Sequence, residues 1–312
     1  MNYLSVDIGG TKVRYGLVSA EGKVLSSSHF LIHSERGFDL VIEDMAAQFN
    51  RFLEAIPEPD QPGGAAVGVA GRVSPREGVV IYSPNLPGWN NVPLAVRLQE
   101  ALGFEVRIEN DSNLYALGEW LGGAGQGLEN LVVITLGTGV GGGLILNNRL
   151  WTGSFENAAE VGHMVVEPDG RLCKCGSRGC LETLASGTAM ADLAREWIQN
   201  GEPCGYQGKL EYLTSADLFD LARQGDTLAL KVFDKAGSSL GLALTNVFNL
   251  LGLQGAIIGG GAGVAFDLLK PKITEELSAR LFTADPDKIL LARSELGDNA
   301  PLVGAPTLFQ TK

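Results

Sequence analysis

The chain opens with short apolar runs separated by glycine-rich turns. Residues 3–6 form one β-prone run, and residues 13–18 form another beyond the polar loop 7–12. Runs of this length, bounded by turn residues, predict two strands joined by a glycine loop. After a turn at 19–22, residues 23–30 predict a third strand. The N-terminus therefore predicts a β-hairpin with a glycine-rich turn and one further strand.

Longer periodic patterns follow this hairpin. Apolar residues from Leu40 to Leu53 recur at helical spacing and predict a helix over 38–56, which ends before the proline-rich connection 57–64. The patterns beyond it predict a buried strand over 65–70, a helix over 93–102, a strand over 105–108 and a helix over 113–121.

The opening pattern then recurs. Residues 131–135 predict a strand, 136–143 a glycine loop and 144–146 a second strand, so that Asp7-Ile-Gly-Gly faces Thr135-Leu-Gly-Thr. We predict two related halves: an N-terminal α/β domain over 1–112 and a C-terminal α/β domain over 113–299. Residues from about 300 to 312 are expected to pack back on the first domain.

Composition excludes some classes of partner. Among 312 residues, 24 Lys and Arg stand against 36 Asp and Glu, which gives a formal net charge of −12. Such a chain has no overall attraction for nucleic-acid phosphates or anionic membranes, and we expect neither as a partner. Hydrophobic residues make up 45%, which is typical of a folded globular protein.

Two segments bear on location. The N-terminus lacks a basic start and Asp7 interrupts its apolar run, which argues against a secretory signal. The apolar stretch 240–258 is broken by Asn246, Asn249 and Gln254, and predicts a buried helix followed by a strand. We therefore expect a cytoplasmic protein with reduced thiols and no membrane span.

Three glycine-rich turns are candidates for phosphate binding. Glycine lets backbone N–H groups approach phosphate oxygens closely. In the first turn Asp7 could also hold Mg²⁺, and the third turn suits the adenosine end of a nucleotide. A tight hairpin turn is the alternative for any one of them, and Walker A spacing is not present. The candidate nucleotide-binding residues are Asp7, Gly9, Gly10, Thr11, Lys12, Gly137, Thr138, Gly139, Gly259, Gly260 and Gly261.

The segment Glu109-Asn110-Asp111 stands at the end of a predicted strand and before a helix. An enzyme that phosphorylates an alcohol needs a carboxylate to orient the hydroxyl and take its proton. Asp111 suits that role, and Asn110 could bind a neighbouring hydroxyl. The alternative is a helix N-cap at Asp111 or Ser112.

His163 precedes a cluster formed by Cys173, Cys175 and Cys180. One imidazole and three thiolates predict a closed tetrahedral Zn²⁺ site, which is structural because no coordination position stays open for water. A disulfide and a group of free thiols are the alternatives. Glu160 and Glu182 flank the cluster and are candidate sugar ligands, as is the second ring nitrogen of His163. Solvated surface charges are the alternative for the two glutamates.

In their order along the chain these motifs resemble the ROK family of repressors, open reading frames and sugar kinases. The resemblance rests on Asp7-Ile-Gly-Gly-Thr-Lys12, Glu109-Asn-Asp111, Leu136-Gly-Thr-Gly-Val-Gly-Gly-Gly143, Glu160-Val-Gly-His163, Cys173-Lys-Cys-Gly-Ser-Arg-Gly-Cys-Leu-Glu182 and Ile258-Gly-Gly-Gly261. It implies an α/β, actin-like ATPase (ribonuclease H-like) fold of two domains, with the nucleotide and sugar cleft between them.

The resemblance also implies a reaction: transfer of the γ-phosphoryl of Mg-ATP to a hexose 6-hydroxyl, with Asp111 as general base. The implied sugar ligands are Asn110, Asp111, Glu160, His163 and Glu182, and the implied zinc ligands are His163, Cys173, Cys175 and Cys180. The segment Ser83-Pro-Asn-Leu-Pro-Gly-Trp89 resembles the glucokinase branch and would place Asn85 near glucose. Kinases of N-acetylglucosamine, N-acetylmannosamine, fructose or allose share the other motifs, and polyphosphate remains open as a donor.

Two further functions compete with a kinase. Repressors of the family add an N-terminal helix-turn-helix, for which we expect no room because the kinase-like strand begins at about residue 3. A sugar-binding protein without catalysis is disfavoured because Asp7 and Asp111 are both present. The resemblance further implies a homodimer, for which the apolar helix 240–251 is a candidate face.

Overall fold

The computed structural model describes residues 1–310. The strands are β1 (Asn2–Ile8), β2 (Lys12–Ser19), β3 (Val24–Leu31), β4 (Pro62–Val69), β5 (Arg72–Ser74), β6 (Val79–Tyr82), β7 (Asn90–Val92), β8 (Val106–Asn110), β9 (Leu131–Leu136), β10 (Val140–Leu146), β11 (Arg149–Leu150), β12 (Gly255–Gly259) and β13 (Leu290–Arg293). The helices are α1 (Phe38–Glu54), α2 (Leu94–Leu102), α3 (Asp111–Gly122), α4 (Glu182–Ala185), α5 (Gly187–Gln199), α6 (Ser215–Arg223), α7 (Thr227–Leu251), α8 (Phe266–Arg280) and α9 (Ala300–Gly304).

Two five-stranded sheets share one topology. The first has the order β3-β2-β1-β4-β8 and the second β11-β10-β9-β12-β13. In each, the opening strands are antiparallel, and the two later strands add in parallel to the first. The predicted recurrence of the N-terminal pattern therefore corresponds to a repeated sheet. A third sheet, β5-β6-β7, follows β4 and was not predicted from the sequence.

Parallel pairing brings the carboxyl ends of several strands to one level. In the first sheet Asp7 pairs with Gly68, and Gly68 pairs with Glu109. In the second sheet Thr135 pairs with Gly259. Each glycine loop therefore lies beside the end of a parallel strand that carries further polar or glycine residues, as is usual for ligand sites in open α/β sheets.

Helix α3 lies between the sheets and crosses α9 closely. Its Leu114 and Ala116 belong to a buried cluster that includes Ala66 of the first sheet and Ile257 of the second. Gly118 faces the carbonyl of Ala300 at a distance that leaves no room for a side chain. The predicted boundary between residues 112 and 113 stays a prediction, since α3 contacts both sheets.

The C-terminal segment returns to the first sheet. The ring of Phe309 stacks on Tyr3 with 4.7 Å between centroids, and the Arg107 guanidinium lies 4.6 Å from the Phe309 centroid. A side chain at Gly64 would overlap Phe309. Residues 311 and 312, also part of the segment expected to pack back, lie outside the described residues.

Two predicted boundaries were wrong by four residues or more. The glycine loop ends at Gly139, because Gly141, Gly142 and Gly143 belong to β10, where Ser112, Val161 and Ala116 leave no space for side chains. The helix predicted over 240–251 is the last part of α7, which begins at Thr227 behind an Asp226 N-cap. Within residues 1–310, none of the helices has the length and apolar character needed to span a membrane.

Candidate active site

Two carboxylates from different elements meet at the carboxyl edge of the first sheet. Asp7 is the penultimate residue of β1, and Asp111 is the first residue of α3. Burial, and then the nearby charge of Asp111, raises the pKa of Asp7 to about 7. Arg14, the cross-strand partner of Asp7, lies 4.0 Å from its carboxylate and opposes this shift. The site therefore lacks the positive charge that would fully stabilise two carboxylates.

Asp111 is held by the start of its own helix. Its Oδ1 accepts a hydrogen bond from the Ser112 N–H at 2.8 Å. Burial nevertheless raises the pKa of the Asp111 carboxyl, and the charge of Glu160 adds to that effect. A carboxylate with a raised pKa accepts protons more readily, which suits general-base chemistry.

Asn110 is the N-cap of α3, so the cap lies one residue before the predicted alternatives at Asp111 and Ser112. Its Oδ1 accepts from the Ser112 and Asn113 N–H groups, and its Nδ2 donates to the Gly71 carbonyl at 3.0 Å. Behind it, the buried Glu109 carboxylate accepts from the Asn110 N–H and from the Asn113 amide. These bonds leave one Nδ2 hydrogen of Asn110 for a ligand.

The structure brings the predicted His and Cys ligands together. One ligand atom from each of His163, Cys173, Cys175 and Cys180 lies within 4.8 Å of the others. His163 Nδ1 is 3.7 Å from Cys173 Sγ, and Cys175 Sγ is 3.6 Å from Cys180 Sγ, too far for a disulfide. Burial, together with the neighbouring thiols, raises the pKa of Cys180 to about 12. This donor set fits a dication with tetrahedral N/S preference, which would stabilise the thiolates.

The two candidate sugar-binding glutamates differ in their contacts. Glu160 Oε2 lies 3.9 Å from His163 Nε2, so the histidine faces the cluster with one nitrogen and Glu160 with the other. Glu182 Oε2 accepts from the Val140 N–H at 3.0 Å. A side chain at Gly139 would overlap the Glu182 carboxylate. The contact with Glu182 is by itself enough to require glycine at position 139, so this glycine is not evidence for a phosphate.

The glycine turns differ in what surrounds them. Gly9 N–H donates to the Lys12 carbonyl at 3.0 Å and closes the first hairpin. A Cβ at Gly10 would lie 3.0 Å from the Asn85 carbonyl, so the exposed Asn85 loop packs on this turn. At Gly137 and Gly261, by contrast, no atom of residues 1–310 outside the neighbouring residues lies within 4 Å of a Cβ position, and φ is not left-handed. Neither protein packing nor backbone conformation requires glycine there, whereas the approach of a phosphate would.

Thr11 and Thr138 are exposed in the first two turns, beside the half-buried Lys12. In the third turn, Gly260 has φ +78 and its neighbour Gly259 packs against Tyr115. The structure therefore places the predicted glycine turns at the edges of the two sheets that carry Asp7 and Thr135.

An apolar pocket beside Gly261 was not predicted. Its volume is about 120 Å³, and its lining is drawn from α5, α6, α7 and the turn after β12. The lining side chains are Met190, Ser215, Phe219, Asp220, Phe233 and Val264. No local pattern in the sequence marks these positions, which range from fully buried, as at Met190 and Phe233, to exposed, as at Asp220 and Val264.

A second unpredicted feature is the loop that precedes Glu160. Glu156 and Ala159 have φ +60 and +65, which L-residues adopt rarely. Glu156 Oε2 accepts from Ser74 Oγ at 2.9 Å, and its Oε1 lies 2.7 Å from Arg76 Nε. Glu156 thus ties this loop to the small sheet that follows β4.

The conformation of Ala159 makes a stability prediction. Ala159→Gly is expected to raise the free energy of unfolding by about 1 kcal/mol, because glycine adopts a positive φ without the steric cost that alanine has. Urea unfolding followed by circular dichroism measures the change. Ala158→Gly, one residue earlier and without a positive φ, is the matched control and should lower the same quantity. Equal effects of the two variants would contradict the argument.

Comparison with known proteins extends these observations over the whole chain. Residues 3–312 match the ROK family. Glucokinase from Thermotoga maritima is 35% identical over 315 residues, covering 100% of this chain and 98% of that protein. The crystal structure of a ROK family glucokinase from Streptomyces griseus, in complex with glucose and AMPPNP, has a TM-score of 0.85 at 32% identity and covers 100% of both chains.

A regulator of the same fold is also similar. A ROK family transcriptional regulator, a homologue of the E. coli MLC protein, has a TM-score of 0.89 at 29% identity and covers 99% of this chain and 78% of that one. These similarities confirm the predicted actin-like ATPase fold. A match that runs over residues 3–312 and retains the fold shows that this chain belongs to the ROK family.

Proposed function

We propose that the protein is an ATP-dependent glucokinase that transfers the γ-phosphoryl of Mg-ATP to the 6-hydroxyl of glucose. The observation that carries the proposal is the position of Asp111, the first residue of α3, which lies beside Gly68, the strand partner of Asp7. Burial raises the pKa of its carboxyl. The glucokinase relatives support a sugar kinase, and their name supports glucose as the sugar.

In this mechanism Asp111 accepts the proton of the sugar 6-hydroxyl as that oxygen forms its bond to the γ-phosphorus. The bond from phosphorus to the β,γ-bridging oxygen breaks, and ADP leaves. Asp7, whose pKa is raised first by burial and then by the charge of Asp111, would hold Mg²⁺, since hard cations prefer carboxylate oxygens. The ion would neutralise charge on the phosphates.

The proposed sugar ligands converge from both sheets. Hydroxyl pairs are bound by carboxylates and amides, and the ligands would be Asn85, Asn110, Asp111, Glu160, His163 and Glu182. Zn²⁺ on His163 and the three cysteines would keep the segment between Glu160 and Glu182 in one conformation. The zinc site is structural in this proposal, since protein ligands fill all four positions.

The donor is ATP in this proposal, because the apolar pocket beside Gly261 suits a purine base. The nucleotide would occupy the space that is open at the Cβ positions of Gly137 and Gly261, with the other residues of the three turns nearby. Polyphosphate has no group that would use an apolar pocket. The AMPPNP complex of the Streptomyces griseus glucokinase supports the choice of ATP.

An ADP-release assay tests the proposal. Zinc-loaded protein with Mg-ATP is offered glucose, N-acetylglucosamine, N-acetylmannosamine, mannose, fructose and allose. A dominant rate with glucose is expected. A dominant rate with another sugar would retain the kinase and discard the glucose assignment, and no rate with any sugar would refute both.

The likeness to a ROK transcriptional regulator favours a sugar-sensing regulator as the second candidate. Such a protein would bind sugar in the same assay without releasing ADP. A gel shift with DNA upstream of sugar-utilisation genes separates the two candidates. Sugar-dependent DNA binding in the absence of turnover would favour the regulator.

The open space at the Cβ position of Gly137 makes a prediction about nucleotide affinity. Gly137→Ala is expected to raise KM for ATP about 10-fold or more, because its methyl group would displace a phosphate and weaken the charge-assisted hydrogen bonds that this phosphate accepts. KM for glucose and Tm should stay near wild type, since within residues 1–310 no atom outside the neighbouring residues lies within 4 Å of the new Cβ. Gly122→Ala, whose Cβ would make an ordinary contact at 3.5 Å, is the control. An unchanged KM for ATP would show that this turn does not approach the nucleotide.

A homodimer remains a proposal. Most of α7 is buried within the chain, with Leu240 and Leu244 fully covered, but Leu250 near its end is 82% exposed. Phe282, whose N–H donates a hydrogen bond to Oδ1 of Asn249, is 93% exposed. We expect light scattering after size exclusion to give the mass of a dimer for the wild type. The double variant Leu250→Glu, Phe282→Glu should have the mass of a monomer. A wild-type monomer would contradict the proposal.

A further inference from the structure

We propose that Glu119 and Tyr115 are positioning residues for the nucleotide, and that they act through a directed chain of hydrogen bonds on the third glycine turn. The inference rests on the proposed function, because the turn at Gly260 is assigned there to ATP. Neither residue was singled out by the sequence motifs.

Glu119 is a fully buried carboxylate on α3. It accepts four hydrogen bonds: from Ser294 Oγ at 2.6 Å, from the Leu296 N–H at 2.9 Å, from the Ala124 N–H at 3.0 Å and from the Glu295 N–H at 3.2 Å. A buried carboxylate surrounded by donors serves as an acceptor only. Three consecutive residues after β13, Ser294, Glu295 and Leu296, are therefore held to α3 by this side chain.

The carboxylate sets the direction of the chain. Ser294 has a single hydroxyl hydrogen and donates it to Glu119, so in its 2.7 Å contact with Tyr115 the tyrosine must be the donor. The Tyr115 oxygen then accepts the Gly260 N–H at 3.1 Å. In each of these hydrogen bonds the donor and the acceptor are fixed. Hydrogen bonds that run in the same direction along a chain polarise and strengthen one another.

Tyr115 also fits closely beneath the turn. A side chain at Gly259 would overlap the Tyr115 hydroxyl, so the ring occupies the space that glycine leaves. Gly260 itself is held with φ +78 against the Leu136 backbone. The tyrosine hydroxyl is thus the support on which the backbone of the third turn lies.

The same chain reaches the other side of the nucleotide site. Ser294 Oγ accepts the Gly297 N–H at 3.0 Å, and the next residue, Asp298, forms an ion pair with Arg14. Arg14 lies 4.0 Å from Asp7. Glu119 therefore connects the turn at Gly260 with the surroundings of Asp7, through Tyr115 in one direction and through Asp298 in the other.

Tyr115→Phe tests the chain with little loss of packing. The variant removes the acceptor of the Gly260 N–H and the donor to Ser294, and one buried hydrogen bond changes an equilibrium about 3- to 10-fold. We expect KM for ATP, and the Kd of AMPPNP from calorimetry, to rise by that factor. KM for glucose should stay within about twofold. Loss of a residue with only a structural role would change KM for ATP and KM for glucose by similar factors.

Further variants keep the test decisive. Ser294→Ala breaks the same chain and should reproduce the effect, whereas Ser294→Thr keeps a hydroxyl and should restore wild-type affinity. Tyr3→Phe, at a buried tyrosine whose hydroxyl contacts only the Met1 sulfur, is the control. The inference is refuted if Tyr115→Phe and Ser294→Ala bind AMPPNP as the wild type does, or raise both KM values equally.

The Kd of AMPPNP, measured by calorimetry, tests the hydrogen-bond chain independently of kinase activity. A wild type that binds AMPPNP without phosphorylating any sugar would refute the kinase, while the Kd ratio of the variants would still decide the role of the chain. A wild type that does not bind the nucleotide at all would overturn both.

Discussion

Asp111→Asn is expected to lower kcat by about 10²- to 10⁴-fold, because asparagine cannot accept the proton of the sugar hydroxyl. Its side-chain oxygen can still accept the Ser112 N–H, so the start of α3 is retained. Glucose affinity, measured by calorimetry, should fall much less than turnover. Coupled ADP release measures kcat, and Asp234→Asn on the exposed face of α7 is the control. Turnover close to wild type would remove Asp111 from the mechanism.

The raised pKa of Asp111 adds two pH effects to this prediction. Catalysis needs the ionised carboxylate, so wild-type kcat/KM should fall as pH decreases through a pKa above the ordinary aspartate value. Folding stability should change with pH in the opposite direction to kcat/KM. A group whose pKa is raised by folding stabilises the protein at low pH, and this contribution is lost as pH increases. Asp111→Asn should therefore have a higher Tm than wild type at pH 8 and a smaller difference at pH 5. A lower Tm at pH 8 would contradict the burial argument.

Removal of the metal from the His and Cys cluster is expected to have the second large effect. Cys175→Ser deletes one thiolate, and a chelator removes the ion from wild-type protein. When free Zn²⁺ is about 1,000-fold above its Kd, binding stabilises the fold by about 4 kcal/mol, so loss of the metal should lower Tm by about 8–16 °C. Metal analysis and thermal unfolding measure both quantities.

Cys204→Ser is the matched control, since this thiol lies outside the cluster and is only partly buried. It should retain one zinc per chain and a wild-type Tm. Loss of zinc should also raise KM for glucose more than KM for ATP, because both proposed sugar ligands Glu160 and Glu182 flank the cluster, whereas only the second of the three glycine turns contacts Glu182. Full zinc occupancy in Cys175→Ser would show that the four residues are not the ligand set.

The parts of the site that could be predicted are those whose chemistry is local in sequence. The glycine turns, Asp111 and the four residues of the cluster each carry a residue type and a spacing that few other roles require. The parallel order of β1, β4 and β8 then explains why Asp7 and Glu109 arrive at one edge of a sheet. The sequence predicted the recurrent hairpin but not this order of strands.

The parts that could not be predicted depend on contacts between distant segments. Tyr115 and Ser294 are 179 positions apart, and each alone is an unremarkable helix or loop residue. The apolar pocket takes its lining from three helices and a turn. The small sheet β5-β6-β7 has strands of three or four residues, too short for a periodicity to be visible. Such features follow from packing, which only the folded chain defines.

The return of Phe309 to the first sheet has a consequence for biosynthesis. The N-terminal sheet leaves the ribosome first, but the ring that covers Tyr3 and Gly64 belongs to Phe309, which is translated much later. Until Phe309 has left the ribosome, this apolar surface stays open to solvent and to chaperones, and the sheet cannot complete its packing. The first half of the molecule to be synthesised therefore completes its packing late, and a truncation before Phe309 would leave Tyr3 and Gly64 uncovered.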